Sequence, residues 1–318
     1  MGKNIKKKKV VVIGNGNVGS SYAFLMVSES NIDEIAIISR RYELVNSNVK
    51  DLSHMTAFMK SSVRVKVGDY TDCSDADIIL IAASASMKSV NKRSELLDAN
   101  AKIFNSIIKE ALANNFQGIF IIASNPVDTL SYFTKKISGF PKEKVIGSGT
   151  IIDSARFKFK LSEIYNVSPT EIQAMVIGEH GDSQVPLWSK ANISGLMLNN
   201  LISEKYQHLE DITTYTREVG NEIMKGKGNT SYGIAKALVE ITNAIINNES
   251  TILTVSSLLE GEYGYHDVYS GAPTLINENG AQKIIDLPLS KTESENLKSS
   301  ISNLKKSQSK ISNFFEED

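Results

Sequence analysis

The stretch that most constrains this chain is Lys9-Val-Val-Val-Ile13, followed at once by Gly14-Asn15-Gly16-Asn17-Val18-Gly19 and then by SSYAFLMVSE. A short β-branched run predicts a buried strand, and the apolar stretch beyond the glycines predicts a helix. The three glycines have separate duties. Gly14 permits a tight turn, Gly16 leaves room for a pyrophosphate against the backbone, and Gly19 lets helix pack closely on strand. Asn17 and Val18 lie where the helix opens, with free N–H groups and a positive dipole end suited to phosphates. GxGxxG alone is a weak signal; set between a strand and a helix it points to a dinucleotide-binding unit.

The next strand, over 35–38, should end in the acidic residue that bridges the adenosine ribose hydroxyls. Ser39, Arg40 and Arg41 stand there instead. A carboxylate would repel a 2′-phosphate, whereas arginine can chelate one with its planar fork. The triplet therefore favours NADP(H). Arginines that merely point into water would leave NAD(H) open. Further buried strands are expected at 77–83 and 118–123, with a helix at 95–114 between them. Such alternation implies α/β architecture, a Rossmann-type doubly wound parallel sheet whose ligands sit at the carboxyl ends of the strands. A small-residue loop, 84–93, and Ser124-Asn125-Pro126-Val127-Asp128 lie at two such ends, and Asn125 is placed to contact a nicotinamide or a substrate oxygen.

Composition removes several classes of function. The chain has 318 residues, enough for about two domains, with 41% hydrophobic and 22% charged residues and a formal net charge of -1. That balance offers no general attraction to nucleic acid. The one cysteine, Cys73, excludes an intrachain disulfide and a cysteine–histidine metal cluster, and it fits a reducing, cytoplasmic setting. No apolar run approaches the roughly 20 residues that span a bilayer, so no membrane partner is expected. The lysines before the first strand read as a solvated arm rather than part of a signal peptide.

In the second half, IGEHGDS sets His180 among glycines and flanks it with Glu179 and Asp182. Imidazole titrates near neutrality and can both deliver and remove a proton, although a lone turn histidine need do nothing. Gly147-Ser-Gly-Thr-Ile-Ile-Asp153-Ser-Ala-Arg156 starts a helix after a glycine-rich turn. Asp153 and Arg156, three apart, share a helix face and form at least a local ion pair. In the functional alternative Arg156 grips a substrate carboxylate, while Asp153 orients the imidazole and favours its protonated form.

Taken together, GNGNVGSSYA, SNPVD, GSGTIIDSARF, IGEHGDS and KGNTSYGIA, with GAPTLINENGAQKIIDLPLS near the end, resemble the L-lactate and malate dehydrogenase family over nearly the whole chain. The resemblance implies a dinucleotide-binding domain at 1–148 and an α+β substrate-binding domain at 149–318. It makes His180 the proton donor and acceptor, Asp153 its partner, and Arg156 the carboxylate ligand. Arg93 would polarise the reacting carbonyl, Asn125 would help place carbonyl and nicotinamide, and Thr230 would line the substrate pocket. A homodimer or homotetramer is implied in the same way.

Departures from the family concern selectivity. Met87 stands where lactate enzymes usually carry glutamine and malate enzymes arginine. A thioether cannot pair with a second carboxylate, which disfavours malate and suits pyruvate or a longer, apolar 2-oxo acid as in the L-2-hydroxyisocaproate branch. Ser89-Val90 replaces a usual proline-glycine, and Ser84 a usual glycine. Lys158 and Gln173 replace the arginine and histidine through which some bacterial members respond to fructose 1,6-bisphosphate, so that response is not expected through the usual site. Malate dehydrogenase and a non-catalytic dinucleotide-binding protein are the rival readings. A helix is expected within 287–315, where Leu297, Ile301, Leu304 and Ile311 share a face.

Overall fold

The structure is a computed structural model that describes residues 7–29, 31–59, 63–85, 93–198 and 209–315. Six strands and four helices alternate first: β1 (Lys9–Ile13), α1 (Asn17–Glu29), β2 (Glu34–Ile38), α2 (Tyr42–Met55), β3 (Arg64–Val67), β4 (Ile78–Ile81), α3 (Arg93–Ala113), β5 (Ile119–Ile122), α4 (Val127–Ser138) and β6 (Val145–Gly147). Then come α5 (Ile151–Tyr165) and the two-residue strands β7 (Ile172–Gln173), β8 (Val176–Ile177), β9 (Val185–Pro186), β10 (Asn192–Ile193) and β11 (Leu196–Met197). The chain closes with α6 (Leu209–Lys227), α7 (Tyr232–Ile246), β12 (Thr251–Glu260), β13 (His266–Asn277), β14 (Gly280–Ile284) and α8 (Lys291–Ser309).

Every residue of β1, β4 and β5 is buried, as a parallel sheet covered on both faces requires. Helices α1, α2 and α7 cover one face, with Tyr22, Met26 and Leu238 packed on Val10 and Val12. Helices α3 and α4 cover the other, where Phe104 and Phe133 pack with Val11 and Phe120. The strand order is β14-β13-β12-β6-β5-β4-β1-β2-β3. Strands β1 to β6 run parallel, and the chain reverses its direction of build between β1 and β4. Such a reversal opens a crevice at the carboxyl ends of those two strands.

The sheet does not stop at β6. Strand β12 joins it antiparallel through Ser256 opposite Gly147, and β13 and β14 extend it further. Nothing in the hydrophobic pattern announces this, because pairing partners 109 residues apart leave no local trace. At the amino-terminal end, Lys9 is buried with the rest of its strand. Lys7 is exposed, but the Lys9 side chain is 7% exposed and lies between Asp72, Asp75 and Glu34 at 2.9, 2.6 and 3.5 Å. The carboxylates that draw it inward lie 25 to 66 residues away, and a charge buried this deeply requires such partners. Helix α8 starts at Lys291, later than residue 287, because Ser290 and Glu293 form a capping box. Its Leu297, Ile301 and Leu304 are buried as expected, as is Ile311 beyond it.

Candidate active site

The glycine loop has the shape its three duties demand. Gly14 has φ +112°, and a Cβ there would meet the Ala82 carbonyl carbon and the Ala83 nitrogen at 2.6 Å. A Cβ on Gly19 would overlap the Gly14 carbonyl, whereas one on Gly16 would have nothing within 4 Å. Open space beside Gly16, at a helix N-terminus facing the crevice, is the cradle that a pyrophosphate fills. Asn15 adds a buried side-chain Nδ2 with no partner among the described residues. The residues present thus fit a dinucleotide. Beyond β2, Ser39 is partly buried, whereas Arg40 and Arg41 are exposed.

Two crevice loops are clipped together from behind. Asn100, buried on α3, accepts from the Ala85 N–H at 2.7 Å and donates to the Asn125 carbonyl at 2.8 Å. Asn125 is itself exposed. The clip was not foreseen; a lone asparagine within an otherwise apolar helical face is its only trace. Arg93 starts α3, but its side chain lies outside the described residues, as do Met87, Ser89 and Val90. Ser84 is described and exposed.

On the other side of the crevice, α5 carries the acidic residue in its first turn. Thr150 donates to the Val176 carbonyl at 2.5 Å, and Ser154 accepts from the Val176 N–H at 2.9 Å. These bonds seat the helix against β8, two residues before the loop that bears His180. Gly178 and Gly271 exchange two backbone hydrogen bonds at 2.9 Å, and Ser300 on α8 accepts from the Glu179 N–H at 2.8 Å. The loop is therefore held from three elements at once.

The result is a shared carboxylate. Asp153 Oδ2 accepts from His180 Nδ1 at 2.6 Å, and Asp153 Oδ1 accepts from Arg156 at 2.9 Å. His180 is 21% exposed and Arg156 16%, so both reach the crevice from a buried base. Burial alone would pull the imidazole below its ordinary value. The charge and hydrogen bond of Asp153, with the charge of Asp128, outweigh that and the opposing Arg156, so His180 is raised. With Nδ1 committed, Nε2 is the nitrogen that can exchange a proton with a bound molecule. A guanidinium has five N–H donors, so Arg156 keeps others free for an anion.

Gly220, also unforeseen, makes room for that guanidinium. A Cβ at this position in α6 would stand 2.9 Å from an Arg156 terminal nitrogen. A glycine inside a helical pattern is the kind of anomaly that flags close packing. Thr230 lies half-buried in the connection between α6 and α7. The structure thus joins His180, Asp153 and Arg156 directly, while Asn125 and Thr230 make no hydrogen bond to them among the described residues. In that same set no group of residues could hold a metal ion, and no helix is long and apolar enough to cross a membrane.

Fold and cluster together define a nicotinamide-dinucleotide oxidoreductase of Rossmann architecture. Comparison with known proteins is more specific. Residues 8–147 match the family profile described as lactate/malate dehydrogenase, NAD binding domain, and residues 150–315 match the lactate/malate dehydrogenase, alpha/beta C-terminal domain. The chain belongs to the lactate/malate dehydrogenase family. L-lactate dehydrogenase 1 of Staphylococcus aureus strain JH9 is 48% identical over 303 residues, covering 94% of this chain and 96% of that protein. The ligand-bound crystal structure of the minor L-lactate dehydrogenase of Enterococcus mundtii superposes with a TM-score of 0.94 at 34% identity, over 96% of this chain and 99% of that one. A lactate dehydrogenase from a Medee basin deep-sea metagenome library gives 0.93 at 37% identity, over 97% and 100%.

Proposed function

We propose that this chain is an L-2-hydroxy acid dehydrogenase of the L-lactate type. It interconverts a 2-oxo acid, such as pyruvate or a longer apolar homologue, with the L-2-hydroxy acid. The observation that carries the reading is the single buried carboxylate of Asp153 holding the proton-bearing ring of His180 on one oxygen and the Arg156 guanidinium on the other. The reduced nicotinamide, when bound, supplies a hydride to the carbonyl carbon. His180 Nε2 gives its proton to the carbonyl oxygen, and the imidazole becomes neutral. In the oxidative direction the neutral ring removes the hydroxyl proton. Asp153 keeps the ring oriented and stabilises the imidazolium. Arg156 holds the substrate carboxylate through its uncommitted donors, fixing which face the carbonyl presents. Arg93 polarises the carbonyl, Asn125 places it against the nicotinamide, and Thr230 lines the pocket, as the family resemblance implies.

Finer features belong to the same proposal. Residues 1–148 form the dinucleotide-binding part and 149–318 the substrate part, working as a homodimer or homotetramer in the cytoplasm. The glycine cradle is held by Gly14, Gly16, Asn17, Val18 and Gly19. The exposed Arg40 and Arg41 beyond Ser39 favour NADPH over NADH, since exposed guanidinium groups can meet a 2′-phosphate. Met87 favours an apolar substrate side chain over a second carboxylate. One experiment tests these points together: kcat/KM for pyruvate, 2-oxoisocaproate and oxaloacetate, each with NADH and NADPH. Turnover of the monocarboxylic acids with NADPH preferred is expected. A strong NADH preference would overturn the cofactor reading, a clear oxaloacetate preference the substrate reading, and no turnover of any acid the function itself.

A further inference from the structure

Helix α8 has two faces of different chemistry. Its inner face, with Leu297, Ser300, Ile301 and Leu304, is buried against the rest of the chain. Its outer face carries Lys298, Ser302 and Lys305, spaced i, i+4 and i+7 and so aligned along one exposed side. Together with Lys306, and with Tyr265 from the connection between β12 and β13, they line a groove of about 470 Å³, to which Ile301 adds an apolar patch. That volume falls within the range of small-molecule sites, roughly 300–1,000 Å³. The groove shares no residue with the glycine cradle or with the Asp153, His180 and Arg156 cluster.

The charge in this groove is one-sided. From Leu297 to Phe315 the chain has four lysines, Lys298, Lys305, Lys306 and Lys310, and no acidic residue. Lys298, Lys305 and Lys306 form no ion pair among the described residues, and Glu295, one turn before Lys298, makes none with it. The carboxylates of the adjoining hairpin are engaged elsewhere. Glu260 pairs with Lys142 at 2.6 Å, Asp267 pairs with Lys136 at 3.1 Å, and Glu262 accepts from the Glu260 N–H at 2.7 Å. The negative end of the helix dipole accounts for Lys306 in the last turn, but not for Lys298 in mid-helix. The hydroxyls of Ser302 and Tyr265 make no hydrogen bond among the described residues either. We propose that this groove is a binding site for a small phosphorylated anion. Lysine meets phosphate as a point charge, and each phosphate group brings close to two negative charges at neutral pH. One or two such groups balance three lysines in a space that as many carboxylates would crowd. Ser302 and Tyr265 offer hydroxyl protons to the remaining oxygens, while Ile301 and the Tyr265 ring give the organic part an apolar rest.

The test is isothermal titration of inorganic pyrophosphate into the full-length protein at fixed ionic strength. The protein is first saturated with the reduced dinucleotide, so that the glycine cradle is filled and cannot take the probe. Saturable binding of one equivalent per chain is expected. Replacing the three lysines together (Lys298→Gln, Lys305→Gln, Lys306→Gln) should weaken it at least about tenfold, since each removes one charge contact. Unchanged affinity in that variant, or no saturable binding by the parent, overturns the proposal. All three lysines are exposed and lie outside the active-site cluster, so the variant should keep kcat/KM for the 2-oxo acid within about twofold, which shows that it is folded. Lys298→Gln alone is the second arm, because it removes the charge that the helix end does not explain. A loss of affinity of about two- to fivefold is expected, and no loss overturns the proposal even if the triple variant does not fold.

Discussion

Two buried clusters of charge occupy opposite ends of the same sheet, and their chemistry is nearly identical. At the amino ends of β1 and β2, Lys9 meets Asp72, Asp75 and Glu34, with Lys66 and Arg64 closing the group from outside. At the carboxyl ends, His180 and Arg156 meet Asp153, with Asp128 behind. In the first cluster every shift takes the group further from neutrality. Burial alone would lower Lys9 and raise Asp72, but their mutual hydrogen bonds, together with Asp75 and Lys66, more than reverse both, so the lysine is raised and the carboxylate lowered. Both shifts favour the charged forms of the pair. In the second cluster one shift runs the other way, towards neutrality at Asp128. Burial pushes Asp128 up to about 6, and His180 is raised from 6.5. Full pairing locks charge for stability; incomplete pairing leaves it poised for proton transfer.

The comparison can be broken most sharply at His180. Replacement by Ala should lower turnover by about 100- to 10,000-fold, the range of a lost acid–base group, with nucleotide binding unchanged in a fluorescence titration. Turnover near the wild-type level would reduce the second cluster to a structural one. Lys9→Met should do the opposite. It leaves Asp72 and Glu34 with only Lys66 and Arg64 as cations, and a loss of up to about 3–5 kcal/mol is expected in urea unfolding, while kcat/KM of the folded protein stays within about twofold. A stable Lys9→Met protein would show that the first cluster is not needed to hold the sheet edge.

Asp128→Asn sharpens the contrast through stability. A carboxyl raised from 3.8 to about 6 by folding contributes its full stability below 3.8 and loses it as pH rises through about 6. Above that pH the buried charge costs on the order of 3 kcal/mol, an upper bound because the site can relax. The variant should therefore be more stable than the parent at pH 8, with no advantage at pH 4, in unfolding measured at both values. An equal difference at the two pH values would remove the charge explanation. The smallest expected effect is at Gly220. Ala there presses on the Arg156 guanidinium, and the KM for the 2-oxo acid should rise about tenfold, roughly 1.4 kcal/mol, with kcat little changed. An unaltered KM would mean that the guanidinium can yield without losing its grip on substrate.

How much of this was legible depends on how far apart the partners lie. The glycine loop was readable because strand, turn and helix are contiguous, and each glycine answers to a contact within the motif or with the neighbouring strand. Asp153 and Arg156 were readable as a pair because three residues on a helix fix their proximity. His180 could be named a candidate, but its 2.6 Å contact with Asp153 joins positions 27 apart, and the residues alone offered it only as one of two readings. The ion pairs of Lys9 could not be read, because its carboxylates come from β2 (Glu34) and from the turn before β4 (Asp72 and Asp75). Asp128, Asn100 and Gly220 were passed over for the same reason. The partners of Asp128, for instance, are 52 and 128 residues away.

Chain chemistry alone therefore settled the α/β alternation and the glycine turn of the dinucleotide cradle, and it named His180 as a candidate proton carrier. These follow from short-range sterics, hydrophobic period and side-chain inventory. Packing decided which charges are locked and which are poised, and where the sheet ends. A carboxyl group has one intrinsic affinity for protons, and only the burial and neighbours that folding supplies hold it towards the charged form at Asp72 and push it towards the neutral form at Asp128.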